Sequence, residues 1–383
     1  MSAKTGFNTL SPRLHSKGDQ SMTYKVLHIG AGGFGTDWCN TFLPENVVDG
    51  TVEVVGIVDI NPEALENGRK HLRLTNEQCF TSADVAFRTV NADFCTIVVP
   101  PAFHEAIVDL ALARGMNILS EKPIADTMEA SVRIAHKAKA AGLKMAVTMS
   151  HRFDQDKSTL RALVSDNALG RINTVSCRFA DDRRVYDTWG RFRHEMVHPM
   201  LIEGAVHHLD IIADLAGAPC TSIYARTWKP EWAEYRGDTD VIVVMDFANG
   251  ARGVYEGSSA HATGLNVWGC EYFRVDAASG TAILDHREIE VFHRDSKRVE
   301  QQNRQGKGQQ VSLVAGEKWQ NSLLIEQFCA WMDGGPPMAT NVEDNLQSVA
   351  LVFSAIESAR LDEPVRVQEF LQSFTKSVSM KAK

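Results

Sequence analysis

Short apolar segments alternate with segments of helical spacing over the first 150 residues. The apolar segments predict buried β-strands at residues 25–29, 51–58, 94–99, 117–119 and 144–149. One helix is predicted at residues 104–114, and another is predicted to begin at Asp126, with Glu129 completing a capping box, and to end at Gly142. Strands that alternate with helices in this way indicate a parallel, doubly wound sheet.

After residue 151 the pattern changes to longer segments of alternating apolar and polar residues. These predict strands at residues 172–179, 222–228, 241–247, 252–259, 273–276, 282–284 and 289–293. Asn249-Gly250 and Ser279-Gly280 lie where hairpin turns are expected. Helices are predicted at residues 157–167, 319–332, 342–359 and 365–374, and an exposed loop at residues 294–308. The expected second domain is α/β, with a large, mostly antiparallel open sheet whose free face would suit a homodimer or homotetramer.

The chain has 383 residues, which is more than one hydrophobic core usually serves. We expect a disordered extension at residues 1–23, the parallel domain at residues 24–150 and the antiparallel domain at residues 151–383. A net charge of −8 without a long basic run disfavours nucleic acid and anionic membranes as partners. No apolar run reaches the roughly 20 residues of a membrane span, and residues 1–23 lack the apolar core of a signal peptide. Seven cysteines without a Cys-x-x-Cys pair are typical of reduced thiols in a cytoplasmic protein.

A glycine pattern follows the first predicted strand. Gly30, Gly32 and Gly35 have the spacing G-x-G-x-x-G, with Gly33 and Phe34 between them. The first glycine permits a tight turn, the second lets the backbone approach a pyrophosphate, and the third lets the next helix pack on the strand. The pyrophosphate would then bind at the N-terminus of that helix. The alternative is a glycine turn that binds nothing, so the pattern needs support from elsewhere in the chain.

Asp59 ends the second predicted strand, at about the expected distance from the glycine pattern. An acid at this place can accept hydrogen bonds from an adenosine ribose, which favours NAD as the cofactor. A strand-end cap is the alternative. No arginine follows at once to bind the 2′-phosphate of NADP, although Arg69 and Lys70 keep NADP as the less favoured cofactor.

Ser120-Glu121-Lys122-Pro123 follows the strand at residues 117–119, at the sheet edge where open parallel sheets bind ligands. Alone, such a lysine indicates only a solvated loop charge. With the glycine turn and the strand-end acid, it resembles the Gfo/Idh/MocA family of nicotinamide-dependent sugar and polyol oxidoreductases. Residues 98–104, VVPPAFH, are similar to the family's cofactor contact after strand four, and the resemblance covers about residues 24–370. It implies a Rossmann domain for NAD at residues 24–150, a lysine that touches the reacting hydroxyl, and cofactor contacts from Pro100, His104, Glu121 and Lys122.

A second motif, LIEGAVHHLD at residues 201–210, places Glu203, His207 and Asp210 on one helix face. Spacing alone leaves open a plain helix surface with a satisfied histidine. The resemblance implies that His207 is the general base and that Asp210 orients it, and histidine suits this role because it titrates near neutral pH. Glu203 stands where many members of the family have aspartate, so neither its role nor the substrate carries over.

Residues 183–236 are rich in arginine and aromatic side chains. This composition fits a solvated loop or a subunit contact. It also fits a substrate pocket in which rings cover sugar faces and arginines pair with a carboxylate, phosphate or sulfonate. Our candidate substrate-binding residues are Lys122, Arg152, Tyr186, Trp189, Arg193, His194, Glu203 and His207.

Residues 194–198 spell H-E-x-x-H, the zinc-protease pattern, which requires both histidines on one helix face. Pro199 disfavours helical geometry at His198, and no third ligand is evident downstream. We therefore expect no metal site.

These observations predict an NAD-dependent oxidoreductase that transfers a hydride between the carbinol carbon of a sugar, polyol or sugar acid and nicotinamide. Two alternatives stay open. One is an NAD-dependent glycosidase, similar to a sulfoquinovosidase, that oxidises its sugar transiently so that the aglycone can be eliminated. The other is a non-catalytic NAD-binding sensor, against which the presence of Lys122 and His207 argues.

Overall fold

The computed structural model of the protein describes residues 22–294 and 308–381. Most of the predicted N-terminal extension, and all but the ends of the predicted loop at residues 294–308, lie outside the described residues. The described part of the chain folds into two sheets with helices packed against them.

The first sheet has six parallel strands in the order β3-β2-β1-β4-β5-β6. Its strands are Tyr24–Ile29 (β1), Val52–Val58 (β2), Cys79–Phe80 (β3), Phe94–Ile97 (β4), Asn117–Ser120 (β5) and Met145–Val147 (β6). Its helices are Gly35–Asp37 (α1), Leu43–Val48 (α2), Pro62–Leu72 (α3), Ala83–Thr89 (α4), His104–Ala113 (α5) and Met128–Ala140 (α6), with a π-helical turn, Trp38–Phe42, between α1 and α2. The strand order reverses between β1 and β4, which is where such sheets bind ligands. The predicted doubly wound parallel sheet is confirmed.

Local details of this sheet differ from the prediction. Strand β3 was not predicted, because two residues paired only with the end of β2 are too short to show a periodicity. Helix α6 is capped by Thr127, whose hydroxyl accepts a hydrogen bond from the N–H of Ala130. The predicted capping box of Asp126 and Glu129 is therefore wrong by one residue.

The second sheet has eight strands in the order β14-β13-β12-β11-β7-β10-β9-β8. Only β7 and β10 pair in parallel; the other neighbours are antiparallel. The strands are Ile172–Ala180 (β7), Cys220–Trp228 (β8), Asp240–Phe247 (β9), Arg252–Ser258 (β10), Tyr272–Ala277 (β11), Gly280–Asp285 (β12), Glu288–His293 (β13) and Gln309–Val311 (β14). The mostly antiparallel sheet and both predicted hairpin turns are confirmed.

The helices after the first sheet are Gln155–Ser165 (α7), Arg191–Glu195 (α8), Val206–Ala216 (α9), Gln320–Met332 (α10), Val342–Leu361 (α11) and Val367–Lys381 (α12). A π-helical turn, Met200–Ala205, leads directly into α9. Such turns are rare and are frequent at functional sites. Helix α12 continues beyond its predicted end at residue 374.

Helix α10 returns to the first sheet and packs on its core. The ring of Phe328 lies 5.4 Å from that of Phe94 in β4, and Leu324 and Ile325 are fully buried in the same apolar cluster. The predicted division at residue 150 therefore does not describe all of the packing, because apolar periodicity does not say which sheet a helix covers.

All seven cysteines are free, as the sequence predicted. Five of them are buried, and burial raises the pKa of Cys39 and Cys329 to about 12. In the part of the chain that the structure describes, no helix is both long and apolar enough to cross a membrane.

Candidate active site

The glycine turn after β1 is shaped by close backbone contacts. A Cβ atom on Gly30, whose φ is +100°, would lie 2.0 Å from the carbonyl oxygen of Val98, and one on Gly35 would lie 2.2 Å from the carbonyl oxygen of Gly30. Gly33 has a φ of +55° and open space around it. The turn thus requires glycine at residues 30 and 35, where the backbone is closely packed, and leaves open space at Gly33. This shape fits the pyrophosphate of a dinucleotide.

Asp59 holds this turn in place. Its Oδ2 accepts hydrogen bonds from the N–H groups of Ala31 and Gly32, at 2.7 and 3.0 Å. Its Oδ1 accepts one from the N–H of Asn61, at 2.8 Å. The carboxylate therefore acts as a strand-end cap beside the turn, at the place where a ribose contact was predicted.

Of the predicted cofactor contacts around the β4 and β5 ends, His104 and Glu121 are buried, whereas Lys122 is partly buried and Pro100 is exposed. His104 bridges the two following loops, with Nε2 2.8 Å from the carbonyl oxygen of Val99 and Nδ1 3.2 Å from that of Ile124. The carboxylate of Glu121 accepts the indole N–H of Trp38, at 3.0 Å, and burial raises its pKa. Pro100 follows β4 at the same edge, and Phe34 is exposed on the glycine turn.

Lys122 points across to the π-helical turn before α9. Its Nζ donates to the carbonyl oxygen of Glu203, at 3.1 Å, and lies 3.4 Å from the Oε2 of that residue. Arg193 donates to the same Oε2 at 2.9 Å. Burial opposes ionisation of Glu203, but the two cations outweigh it and hold its pKa below the ordinary value. Glu203 Oε1 is buried without a hydrogen-bond partner and is free to accept one.

His207 lies next to this ion cluster at the start of α9. Its ring stacks on that of His151, with centroids 4.4 Å apart, and the Trp268 ring meets it edge-on at 5.4 Å. Nδ1 is shielded from solvent and has no partner. Burial, together with His151 and Lys122, places the pKa of His207 well below its ordinary value. The imidazole is therefore neutral at physiological pH.

Asp210 does not orient His207, contrary to the prediction. Its carboxylate is held by Arg152, with Nε at 2.8 Å, and by the hydroxyl of Ser348 on α11. Arg152 also lies 3.4 Å from Asp214. One helical turn brings Asp210 to the side of α9 that packs against α11 and the turn before α7, so spacing alone did not show its partner. Arg152, predicted to bind substrate, has its guanidinium occupied by these two carboxylates.

The aromatic and arginine-rich segment is partly gathered near Glu203. The guanidinium of Arg193 lies over the rings of Trp189 and Phe192, at 5.2 and 4.4 Å. His194 is buried, with Nδ1 3.0 Å from the carbonyl oxygen of Glu234. Tyr186 is half exposed and donates to Glu195 at 2.9 Å.

The H-E-x-x-H pattern is not a helical zinc motif. Helix α8 ends at Glu195, so His194 and His198 do not share a helix face. The sequence pattern does not indicate His151 and Trp268, whose rings cover His207, because they lie in turns far apart in the chain and have no characteristic spacing.

Comparison with known proteins agrees with this architecture. Residues 24–149 match the family model for the oxidoreductase family's NAD-binding Rossmann fold, and residues 161–367 match that for its C-terminal alpha/beta domain. A protein of Sinorhizobium fredii known as uncharacterized protein y4oX is 77% identical over 94% of this chain and all of its own length. An inositol 2-dehydrogenase of Corynebacterium glutamicum is 26% identical over 60% of this chain and 65% of its own length. A D-apiose dehydrogenase of Rhizobium rhizogenes is 24% identical over 76% of this chain and 85% of its own.

Solved structures share the whole fold. An oxidoreductase from Agrobacterium radiobacter, in complex with NAD⁺, L-tartaric acid and magnesium, has a TM-score of 0.78 at 21% identity, covering 91% of this chain and 99% of its own. A levoglucosan dehydrogenase, in complex with NADH and levoglucosan, has a TM-score of 0.74 at 20% identity, covering 90% and 100%. The two sheets, the glycine turn and both family matches identify this chain as a member of the Gfo/Idh/MocA family of oxidoreductases, with an NAD-binding Rossmann domain.

Proposed function

We propose that this protein transfers a hydride between a carbinol carbon of a sugar or polyol and NAD, with His207 as general base and Lys122 assisting. The observation that carries the proposal is a buried, neutral imidazole near the Lys122 ammonium, which follows β5 at the carboxyl edge of the parallel sheet. The named dehydrogenases among the relatives support it.

The two side chains have complementary tasks. Bound nicotinamide supplies the hydride acceptor or donor. We assign Nε2 of His207 as the proton acceptor, because Nδ1 is closed off from solvent. The Lys122 ammonium stabilises negative charge on the hydroxyl oxygen as its proton leaves. A neutral imidazole takes that proton without first having to lose one of its own.

The substrate region carries two cations, Lys122 and Arg193, against one carboxylate, Glu203. One positive charge remains, which suits a sugar or a sugar acid. The unpaired Oε1 of Glu203 would accept a substrate hydroxyl. Trp189 lies under Arg193 and offers a ring for a sugar face.

The arrangement also supports NAD rather than NADP. Arg69 and Lys70 both pair with Glu66 on α3, so a 2′-phosphate would compete with this carboxylate for either cation. Asp59 places a carboxylate at the end of β2 beside the turn. Its charge would repel the 2′-phosphate.

Asp59→Asn is expected to narrow the preference for NAD over NADP, because it removes the charge while its side-chain oxygen still accepts hydrogen bonds from the turn. Asp59→Ala should narrow it as well and weaken both cofactors, because the Ala31 and Gly32 N–H groups lose their acceptor. Fluorescence titration with NADH and NADPH measures both effects. Preference of the unmodified protein for NADPH would contradict the proposal.

A redox-neutral glycosidase is the second candidate, and Glu203 is the observation that favours it. The free Oε1 belongs to a second buried group that could accept a proton, four residues before His207, and elimination of an aglycone needs an acceptor for the proton of the C–H next to the oxidised carbon. The oxidation makes that C–H acidic, and the hydride returns in the same cycle.

Turnover in deuterated solvent separates the two activities. A dehydrogenase is expected to accumulate NADH with a free sugar, to leave chromogenic glycosides intact and to incorporate no solvent deuterium. Release of aglycone over many turnovers for each bound NAD, without net NADH and with deuterium in the product sugar, would instead establish the glycosidase. The sensor alternative predicts NAD binding with neither reaction.

We also propose a homodimer or homotetramer in the cytoplasm. The outer face of the second sheet exposes apolar side chains next to one another, Ile242 and Val244 on β9 and Val254 on β10, with Val244 opposite Val254. Exposed apolar side chains on an open sheet suit a second copy of the chain, with charged residues such as Glu256 opposite Ile242 at the margin of such a contact. Sedimentation of the purified protein tests the oligomeric state.

A further inference from the structure

Behind His207, three side chains from distant parts of the chain direct ligand atoms at one another. His151 lies in the 3₁₀ turn Ser150–Phe153, His208 lies in α9, and Glu271 immediately precedes β11. Nδ1 of His151 and Nε2 of His208 each lie 3.6 Å from Oε1 of Glu271. Both nitrogens are shielded from solvent and have no hydrogen-bond partner. Two buried imidazole nitrogens without a hydrogen-bond partner therefore lie beside the carboxylate of Glu271.

The spacing fits a shared metal ion better than hydrogen bonds. A nitrogen to oxygen distance of 3.6 Å is too long for a hydrogen bond. Zn²⁺ binds imidazole nitrogens and carboxylate oxygens at about 2.0–2.1 Å, so two ligands in tetrahedral positions lie roughly 3.3 Å apart. The three ligand atoms lie within 4.8 Å of one another, so the two imidazole nitrogens have to move closer together to bind one ion. Two histidines with one carboxylate are a common ligand set for zinc and for non-haem iron.

Other side chains orient these ligands. The hydroxyl of Tyr255 hydrogen bonds with Nδ1 of His208 at 3.0 Å, which turns Nε2 towards Glu271. Oε1 of Glu271 accepts the N–H of Gly269 at 2.9 Å, and Oε2 accepts the ammonium of Lys157 at 2.8 Å. Partners of this kind fix the direction of a ligand atom and are typical of metal sites.

The buried charges near the cluster are out of balance. The Lys157 ammonium lies within 3.4 Å of the carboxylates of Asp154, Asp156 and Glu271, and none of these four side chains is more than 3% exposed. Three carboxylates against one ammonium leave a formal excess of two negative charges. A divalent cation would supply the missing charge.

We propose that His151, His208 and Glu271 bind one divalent transition-metal ion of the zinc class. The ring of Trp268 lies 4.2 Å from that of His151 and covers the cluster. The ion ties the turn before α7, helix α9 and the start of β11 together, and it fixes the His151 ring on which His207 stacks. Its role is structural and positioning, so it takes no part in hydride transfer. The earlier expectation of no metal site rested on local spacing, which cannot show this cluster.

Metal uptake by the whole, untagged protein tests the proposal directly. Protein stripped by dialysis against a chelator is titrated with Zn²⁺ and with Co²⁺, and the bound metal is counted by mass spectrometry. We expect about one ion per chain, and for Co²⁺ the strong visible absorption of a low-coordinate site with nitrogen and oxygen ligands. Failure to take up either ion in stoichiometric amount overturns the proposal, and this result requires no variant.

Variants locate the ion. Glu271→Gln and His208→Asn keep the side-chain volume approximately and are expected to weaken metal binding at least about tenfold. The double variant His194→Ala, His198→Ala serves as the control, because it removes both histidines of the H-E-x-x-H pattern but should bind metal as the unmodified protein does. Circular dichroism confirms folding of each variant. Metal that survives Glu271→Gln but is lost from the double variant would place the ion at residues 194–198 and contradict the assignment.

Discussion

Alanine in place of His207 is expected to lower turnover at least about a hundredfold while NAD affinity stays nearly unchanged. Removal of the imidazole takes away the group that accepts the hydroxyl proton, and its neighbours are poor substitutes. His151 is stacked on it and also neutral, since burial lowers its pKa to about 3. Steady-state kinetics with NAD and a responsive sugar, together with a fluorescence titration of NADH, separate the two effects.

Lys122→Ala is expected to cause a loss of similar size for a different reason. The substitution removes the ammonium that stabilises negative charge on the substrate oxygen as its proton leaves. It also leaves Arg193 as the remaining cation beside Glu203. Lys122→Arg keeps the charge and should retain more activity than the alanine variant. The exposed His136 on α6 provides a control for the His207 variant, because His136→Ala also replaces a histidine with alanine but lies outside the candidate site.

The pH profile gives an independent readout of the same assignment. Because burial holds the pKa of His207 well below 6.5, the imidazole stays neutral as the pH falls through that value. The kcat of the unmodified protein should therefore not fall with a midpoint near 6.5. Wild-type turnover in either alanine variant would contradict the proposed roles of both side chains.

Asp210→Ala is expected to destabilise the protein by about 3–5 kcal/mol, because it leaves the Arg152 guanidinium buried without its main partner. Arg152 is 11% exposed and Asp210 is 2% exposed, so water cannot replace the lost carboxylate well. Ser348 loses its acceptor as well. The free energy of unfolding in urea, measured with and without NAD, gives the size of the loss.

The double variant Asp210→Leu, Arg152→Met is the matched control. It removes both members of the pair, so it should cost less than Asp210→Ala alone. If Asp210 instead oriented His207, Asp210→Ala would lower kcat selectively and leave the unfolding free energy nearly intact. That outcome would restore the role that the sequence suggested.

The order of the elements was accessible from the sequence because each depends on neighbours along the chain. Alternation of period two marked the strands of the second sheet, and apolar runs between helices marked those of the first. The glycine turn was accessible for the same reason. Gly35 meets the carbonyl oxygen of Gly30, which is close in the chain, whereas the contact of Gly30 with the carbonyl oxygen of Val98 depends on the pairing of β1 with β4.

The candidate site was accessible only in part. Lys122 and His207 were predicted through motifs and the structure brings them near one another, but their partners were not. Glu203 joins Lys122 to Arg193, whereas Asp210 turns to Arg152 and Ser348. A helical spacing of three or four residues fixes which side chains share a face, but it does not say what packs against that face.

The sequence by itself thus determined the two-sheet architecture and the glycine turn of the Rossmann domain, and it indicated Lys122 and His207 as the candidate catalytic pair. Only the tertiary structure decided that helix α10 covers the first sheet and that His151, His208 and Glu271 meet. The physical reason is the distance along the chain between the residues that interact. Backbone conformation and periodic burial are set by neighbouring residues, whereas pairing of buried charges and rings depends on which distant segments the fold brings within a few ångströms.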